Sequence, residues 1–268
     1  MKKTPTTPTA RPAAAIGDSA NASPRAAIHP STLAIDIGGT GLKASVLDSA
    51  GQMISERVTV PTPYPCPPAT MVRTLVKLVK PLPAFDRVAV GFPGQIRHHK
   101  VMTAPHFGTE IWSGFNLSQA LAEKLGKPVR LLNDADIQGL GAIHGHGLEL
   151  VVTLGTGVGT ALFRNGDLMP HLELAHHPIR KNKTYNQYLG KAAFDEVGKE
   201  KWNRRVRRMI DLLENLINPD TMYIGGGNAS KIVGQLPPHI HITSNVQGIL
   251  GGFRLWEPRL VEPQSNGQ

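Results

Sequence analysis

Leu33-Ala34-Ile35-Asp36-Ile37-Gly38-Gly39-Thr40-Gly41-Leu42-Lys43 runs from an apolar strand through one acid into a glycine–threonine turn. It leaves through a lysine into a second apolar strand, 44–48. Glycines let a chain bend where a Cβ would clash, and they leave backbone N–H groups converging on one concavity. Such a nest suits a phosphate, and a carboxylate beside it suits the Mg²⁺ that travels with phosphates. Gly38, Gly39, Thr40, Gly41 and Lys43 are therefore candidate phosphate contacts, with Asp36 as the candidate Mg²⁺ ligand. A glycine-rich hairpin with no ligand would look the same. The design, however, recurs. An apolar strand, 150–154, enters Gly155-Thr156-Gly157-Val158-Gly159-Thr160 and leaves as a strand to Phe163. Gly155, Thr156, Gly157 and Gly159 form the second candidate set.

The 268 residues can hold two modest lobes, and 40% apolar with 18% charged residues reads as globular. No apolar run approaches the roughly 20 residues that a membrane span needs. One cysteine, Cys66 between prolines, excludes a disulfide framework and a zinc ribbon, and fits a reducing, cytoplasmic setting. A net charge of +9 asks for an anionic partner: nucleic acid, a membrane surface or a phosphate polymer. Residues 1–30 are rich in Ala, Pro, Thr and Ser without an apolar period and read as a disordered tail, as do 257–268. Ala13-Ala14-Ala15-Ile16 falls short of the roughly 7–15 apolar residues of a signal peptide.

Between the tails, strand and helix patterns alternate. Strands are predicted at 33–37, 43–48, 53–60, 87–91, 128–132, 150–163 (a hairpin), 222–224 and 240–242. Helices are predicted at 69–80, 117–125, 135–143, 184–197, 200–217, 229–236 and 248–256. The 200–217 helix sets Trp202, Val206, Met209, Leu213 and Leu216 on one stripe. The fold class is α/β with a mixed sheet in each of two lobes. The smaller lobe is expected at 31–133, completed by a C-terminal helix at 245–256, and the larger at 134–244.

Two phosphate-gripping turns facing a cleft need one more part for phosphoryl transfer, a base on the attacking hydroxyl. Asp134 follows the 128–132 strand, at the carboxyl end where α/β sites lie, and is the candidate base. An Asn-Asp pair before a helix is also an ordinary cap.

Asp36–Lys43, Gly91-Phe92-Pro93-Gly94, Asn133-Asp134, Leu154–Gly159, Glu173-Leu174-Ala175-His176 and Gly225-Gly226-Gly227 occur together in this order. In that respect the chain resembles the ROK sugar kinases of the actin-like ATPase superfamily, from about Thr32 to Trp256. Within the family it is most similar to polyphosphate glucokinases and polyphosphate/ATP glucomannokinases. The resemblance implies a two-lobed, ribonuclease H-like fold with a cleft between the lobes. It implies a hexokinase-type enzyme making glucose 6-phosphate, or mannose 6-phosphate, from polyphosphate or ATP with Mg²⁺. Asp134 would take the proton of the sugar 6-hydroxyl. Gly94, Asn133, Glu173 and His176 would contact the sugar, and Gly225, Gly226 and Gly227 would lie beside the donor. A homodimer is the usual state of such kinases.

Three departures stand out. Ala175 replaces the usual glycine, and no clear match exists for a second sugar-contacting glutamate. Where zinc-bearing relatives place three cysteines, this chain reads His177-Pro178-Ile179-Arg180-Lys181, so no structural zinc is expected. His171, Glu173, His176 and His177 cluster without a zinc pattern around them. Residues 180–208 carry ten Lys/Arg against three acids. That run is either a solvated helix face or a track for a polyanionic donor. Nucleic acid is not an expected partner, since no helix-turn-helix pattern accompanies the motifs. The remaining alternative is a non-catalytic, ROK-type regulator that binds a sugar or polyphosphate.

Overall fold

A strand that is apolar on both of its faces must be covered on both sides, and the central strands of each sheet, apolar over most of their length, meet that requirement. The computed structural model describes Met1, residues 30–243 and residues 247–257. The two expected tails otherwise lie outside the described residues. In chain order the elements begin with β1 (Thr32–Ile37), β2 (Gly41–Leu47), β3 (Val58–Pro61), α1 (Pro68–Val79) and β4 (Arg87–Phe92). A small hairpin of β5 (Ile96–Arg97) and β6 (Lys100–Val101) precedes α2 (Thr109–Trp112), α3 (Leu117–Leu125), β7 (Val129–Asn133) and α4 (Asp134–Ala142). Then come β8 (Leu148–Leu154), β9 (Val158–Arg164), β10 (Asp167–Leu168), β11 (Pro178–Arg180) and β12 (Lys183–Thr184). The chain continues with α5 (Tyr185–Leu189), α6 (Lys191–Ile217), β13 (Thr221–Gly225), β14 (Ile240–Ile242) and α7 (Gln247–Arg254).

The two five-stranded sheets share one plan. Their orders are β3-β2-β1-β4-β7 and β10-β9-β8-β13-β14. In each, an antiparallel meander supplies three strands, and two parallel strands extend the other edge. The period of two along each strand then decides what lies on each face. Leu33, Ile35, Ile37, Val88 and Val90 pack with α1 and α3, whereas Ala34 and Ala89 turn the other way, against α7. In the second sheet Leu150, Val152, Leu154, Met222 and Ile224 pack with α5 and α6. Val151, Ala161, Phe163 and Tyr223 turn towards α4. So α4 and α7 lie between the sheets, crossing closely enough that a Cβ on Gly251 would overlap the Ile137 carbonyl. Arg254 ties the pair by donating to the carbonyls of Leu140 and Ile143 at 2.9 and 2.6 Å.

Several elements differ from the sequence expectation. The third strand forms only from Val58, because Ser55 turns its hydroxyl back to the Val46 N–H at 2.9 Å, and Met53 keeps just a lone bridge to Leu47. The helix expected at 184–197 breaks at Gly190, whose backbone lies against the Thr156 carbonyl. A second break within α6 falls at Gly198, with φ of 74°. The helix expected at 229–236 is a single 3₁₀ turn, Ala229–Lys231. Leu216 ends the α6 stripe exposed rather than buried.

Candidate active site

The passage from β7 into α4 splits two roles between neighbours. Asn133 caps the helix: its Oδ1 accepts the N–H groups of Ala135 and Asp136 at 2.8 and 3.3 Å, while its Nδ2 donates to the Gly94 carbonyl at 3.1 Å. With the cap supplied by Asn133, Asp134 is left free for the cleft. It is partly buried, and desolvation together with the nearby charge of Asp36 pushes its carboxyl up to about 7. One N–H, that of Ala135, points at its Oδ1 from 2.9 Å.

A cleft of about 680 Å³ brings together residues from both halves of the chain. Asp36, Gly38, Gly39, Thr40, Gly41 and Lys43 line one side. Gly155, Thr156, Gly157 and Gly159 line the other, with Gly94, Asn133, Asp134, Glu173 and His176 between them. Gly226 and Gly227 also face it, whereas Gly225 is the buried end of β13 and does not. Gly226 sits at φ 84° with its α-carbon against the Leu154 backbone, a place no side chain could occupy.

Both glycine turns are closed internally, Gly38 N–H to the Gly41 carbonyl at 3.0 Å and Gly155 N–H to the Gly157 carbonyl at 2.9 Å. Among the described residues, the N–H groups of Gly39, Thr40, Thr156 and Gly157 donate to no protein acceptor. These four donors in one cleft form a binding surface for anionic oxygens. Lys43 Nζ reaches Asp36 Oδ2 at 2.9 Å and leaves Oδ1 without a partner among the described residues. No group of three or more His, Cys, Asp or Glu that could hold a metal occurs among the described residues. One carboxylate beside unpaired backbone amides is a donor set that suits Mg²⁺, which keeps water and substrate oxygens in most of its positions.

The wall carrying Glu173 is built around His171. Its ring contacts Asp136, in the first turn of α4, at 3.2 Å and Glu173 at 3.5 Å. Burial works against its cation, but the two carboxylates prevail and push it up to about 10. Glu173 is held below the usual glutamate range for the reciprocal reason: burial is outweighed by His171 and by the Ala175 N–H at 3.1 Å. Thr160 anchors this segment to β9 through the Leu172 carbonyl.

Several cleft residues carry no motif. His106 packs its ring over Gly39, and its acidity is raised by burial and by His176 on the opposing segment. Arg57 lines the cleft with no carboxylate partner among the described residues. Asn186 takes the Val158 N–H at 2.6 Å, and Asn228 donates to the Gly155 carbonyl at 3.0 Å. The basic run divides as well. Arg205 is buried, donating to the Tyr188 carbonyl at 3.0 Å with its guanidinium 4.6 Å from that ring centre. Arg207 clamps the carbonyls of Gln235 and Val233 at 3.1 Å. These two arginines brace the fold, and Arg204 and Arg208 remain exposed.

Residues 32–178 match the ROK family. The chain belongs to that family. It is 30% identical over 224 residues to polyphosphate glucokinase of Mycobacterium tuberculosis, covering 80% of this chain and 84% of that one. The crystal structure of inorganic polyphosphate/ATP-glucomannokinase from Arthrobacter sp. strain KM superposes with a TM-score of 0.75 at 30% identity, covering 84% of this chain and 97% of that one. A ROK family glucokinase from Streptomyces griseus, solved with glucose and AMPPNP, shares the fold with a TM-score of 0.67 at 20% identity, over 84% and 98% of the two chains. This ROK protein has the two-lobed actin-like ATPase fold, and the three relatives named above are sugar kinases. No helix among its described residues is long and apolar enough to cross a membrane.

Proposed function

We propose that this ROK protein phosphorylates the 6-hydroxyl of glucose, and of mannose, using inorganic polyphosphate or ATP. One observation carries the reading: a partly buried carboxyl, Asp134, is raised to about 7 in a cleft lined by two amide-presenting turns. A binding protein has no use for a base poised near neutral pH, whereas a kinase does. The donor's phosphates would rest on the free N–H groups of Gly39, Thr40, Thr156 and Gly157, with Arg57 adding positive charge. Glu173, His176 and Asn133 would hold the other sugar hydroxyls, with Gly94 at the same wall. Asp134 would accept the hydroxyl proton as the oxygen attacks the terminal phosphorus. The bond from that phosphorus to the departing phosphate chain then breaks.

Asp36 would hold Mg²⁺ through its free Oδ1. When bound, that ion would neutralise charge on the donor oxygens. The homodimer implied by the resemblance belongs to the same proposal, and light scattering reads it.

The test is a coupled assay of glucose 6-phosphate and mannose 6-phosphate formation, with ATP and polyphosphate supplied separately. Transfer from at least one donor supports the reading. Tight hexose binding with transfer from neither would make the protein a non-catalytic sugar binder.

A further inference from the structure

We propose that Thr62 and Tyr64 are positioning residues for the donor phosphates, acting by strapping the carbonyl side of the first glycine turn. The inference rests on the reading that this turn holds phosphate.

Three consecutive carbonyls of the turn are each taken by the segment that follows β3. Gly38 O accepts from Thr62 Oγ1 at 2.7 Å, and Gly39 O accepts from Tyr64 Oη at 2.5 Å. Thr40 O accepts from the Thr62 N–H at 3.3 Å. In a trans peptide the C=O and the following N–H point in opposite directions. Holding the carbonyls of Gly38 and Gly39 towards the strap therefore turns the N–H groups of Gly39 and Thr40 away from it. Those are the two N–H groups of this turn that have no protein partner among the described residues. Glycine peptides flip readily when nothing holds them, so a Gly-Gly-Thr turn needs an external brace to keep one orientation.

The exposure of Tyr64 fits this role. The residue is 59% exposed, so burial does not explain an aromatic there, yet its hydroxyl has a defined partner. Phe107 steadies the ring, with centroids 6.2 Å apart.

The second turn meets the same requirement with unrelated parts. Gly155 O and Thr156 O accept from the Lys191 N–H at 3.0 and 3.2 Å, and Gly155 O also takes Asn228 Nδ2 at 3.0 Å. The N–H groups released are those of Thr156 and Gly157. Carbonyls strapped from behind and amides left for the ligand are thus common to both turns.

The full-length chain carrying Tyr64→Phe, Thr62→Val or Thr62→Ser is compared with wild type in steady-state kinetics, varying donor and hexose separately. Binding of tripolyphosphate with Mg²⁺ is measured in parallel by calorimetry. Tyr64→Phe and Thr62→Val should each raise the donor KM and the tripolyphosphate Kd about 3–10-fold, the worth of one hydrogen bond. The hexose KM should stay within about two-fold, and Thr62→Ser, which keeps the hydroxyl, should behave as wild type. An unchanged donor KM and Kd in both variants overturns the strap. So does an equal rise for donor and hexose, or a Thr62→Ser variant as impaired as Thr62→Val. A wild type that binds tripolyphosphate without transferring phosphate refutes the kinase reading but leaves the Kd comparison to decide the strap. A wild type that does neither overturns both.

Discussion

Replacing Asp134 by Asn should sharply lower turnover and at the same time stabilise the protein, with a pH dependence that follows from where the carboxyl sits. Asn has the shape of Asp, and its Oδ1 can still accept the Ala135 N–H, so the start of α4 is preserved. A carboxyl raised from 3.8 to about 7 carries a penalty on the order of 4 kcal/mol once ionised, at about 1.4 kcal/mol per unit. The sign follows from proton counting. Between pH 4 and 7 the folded wild type holds a proton that the unfolded chain has released, so its stability falls as pH rises through that window. The amide of the Asp134→Asn variant carries no such charge, so the variant should gain on wild type from about pH 4, with the gap levelling above about pH 7. For a chain of this size the gap corresponds to roughly 10 °C in Tm as an upper limit. Turnover should fall by about 10²–10⁴, the worth of a general base. In the wild type, kcat/KM should rise with pH through an apparent pKa near 7, as Asp134 ionises. Thermal melts from pH 4 to 8, without Mg²⁺ or donor, and a coupled hexose phosphate assay read the two halves. A folded variant with near wild-type turnover, or one no more stable at pH 8 than at pH 4 relative to wild type, would refute the placement of Asp134.

Four further outcomes are expected. Chelation should abolish phosphoryl transfer and Mg²⁺ alone should restore it, with Asp36→Ala raising the Mg²⁺ needed for half-activity; a chelated enzyme that keeps its rate would remove Asp36 from the metal role. Gly251→Ala places a methyl against the Ile137 carbonyl and should cost at least about 2 kcal/mol by urea denaturation, since backbone cannot step aside as a side chain can; a neutral substitution would mean that α4 and α7 cross less closely. Arg204→Glu with Arg208→Glu should leave Tm unchanged and raise the KM for long-chain polyphosphate more than that for ATP. Arg205→Glu should lower Tm by at least about 5 °C, because it strips a buried cation from the Tyr188 carbonyl. Equal KM changes for both donors in the first variant would return that helix face to a merely solvated role.

Local pattern made much of this molecule readable before any coordinates. Alternating and continuous apolar runs located the central strands within a residue or two, and both glycine turns fall between the strands expected to flank them. Those signals are short-range: a strand's period, a turn's need for a missing Cβ and a cap's hydrogen bond are all written within a few residues. Asp36 stood out beside a glycine turn and Asp134 at the carboxyl end of a strand, whereas Glu173 was implied only by the ROK resemblance. The pairing of Asp134 with an ordinary-looking cap was ambiguous until Asn133 proved to be the residue that caps α4. Where burial decides chemistry, the sequence was silent. The rise of Asp134 to about 7 depends on the sheets that enclose it and on Asp36, which lies far away along the chain. Arg205 and Arg207 looked like two more surface cations among ten, and became braces only because Tyr188 and the 233–235 carbonyls pack beside them. His106, Arg57 and the Thr62–Tyr64 strap have no motif at all. Their partners lie across folded contacts, and a periodicity confined to one segment holds no record of which other segment will come to rest against it.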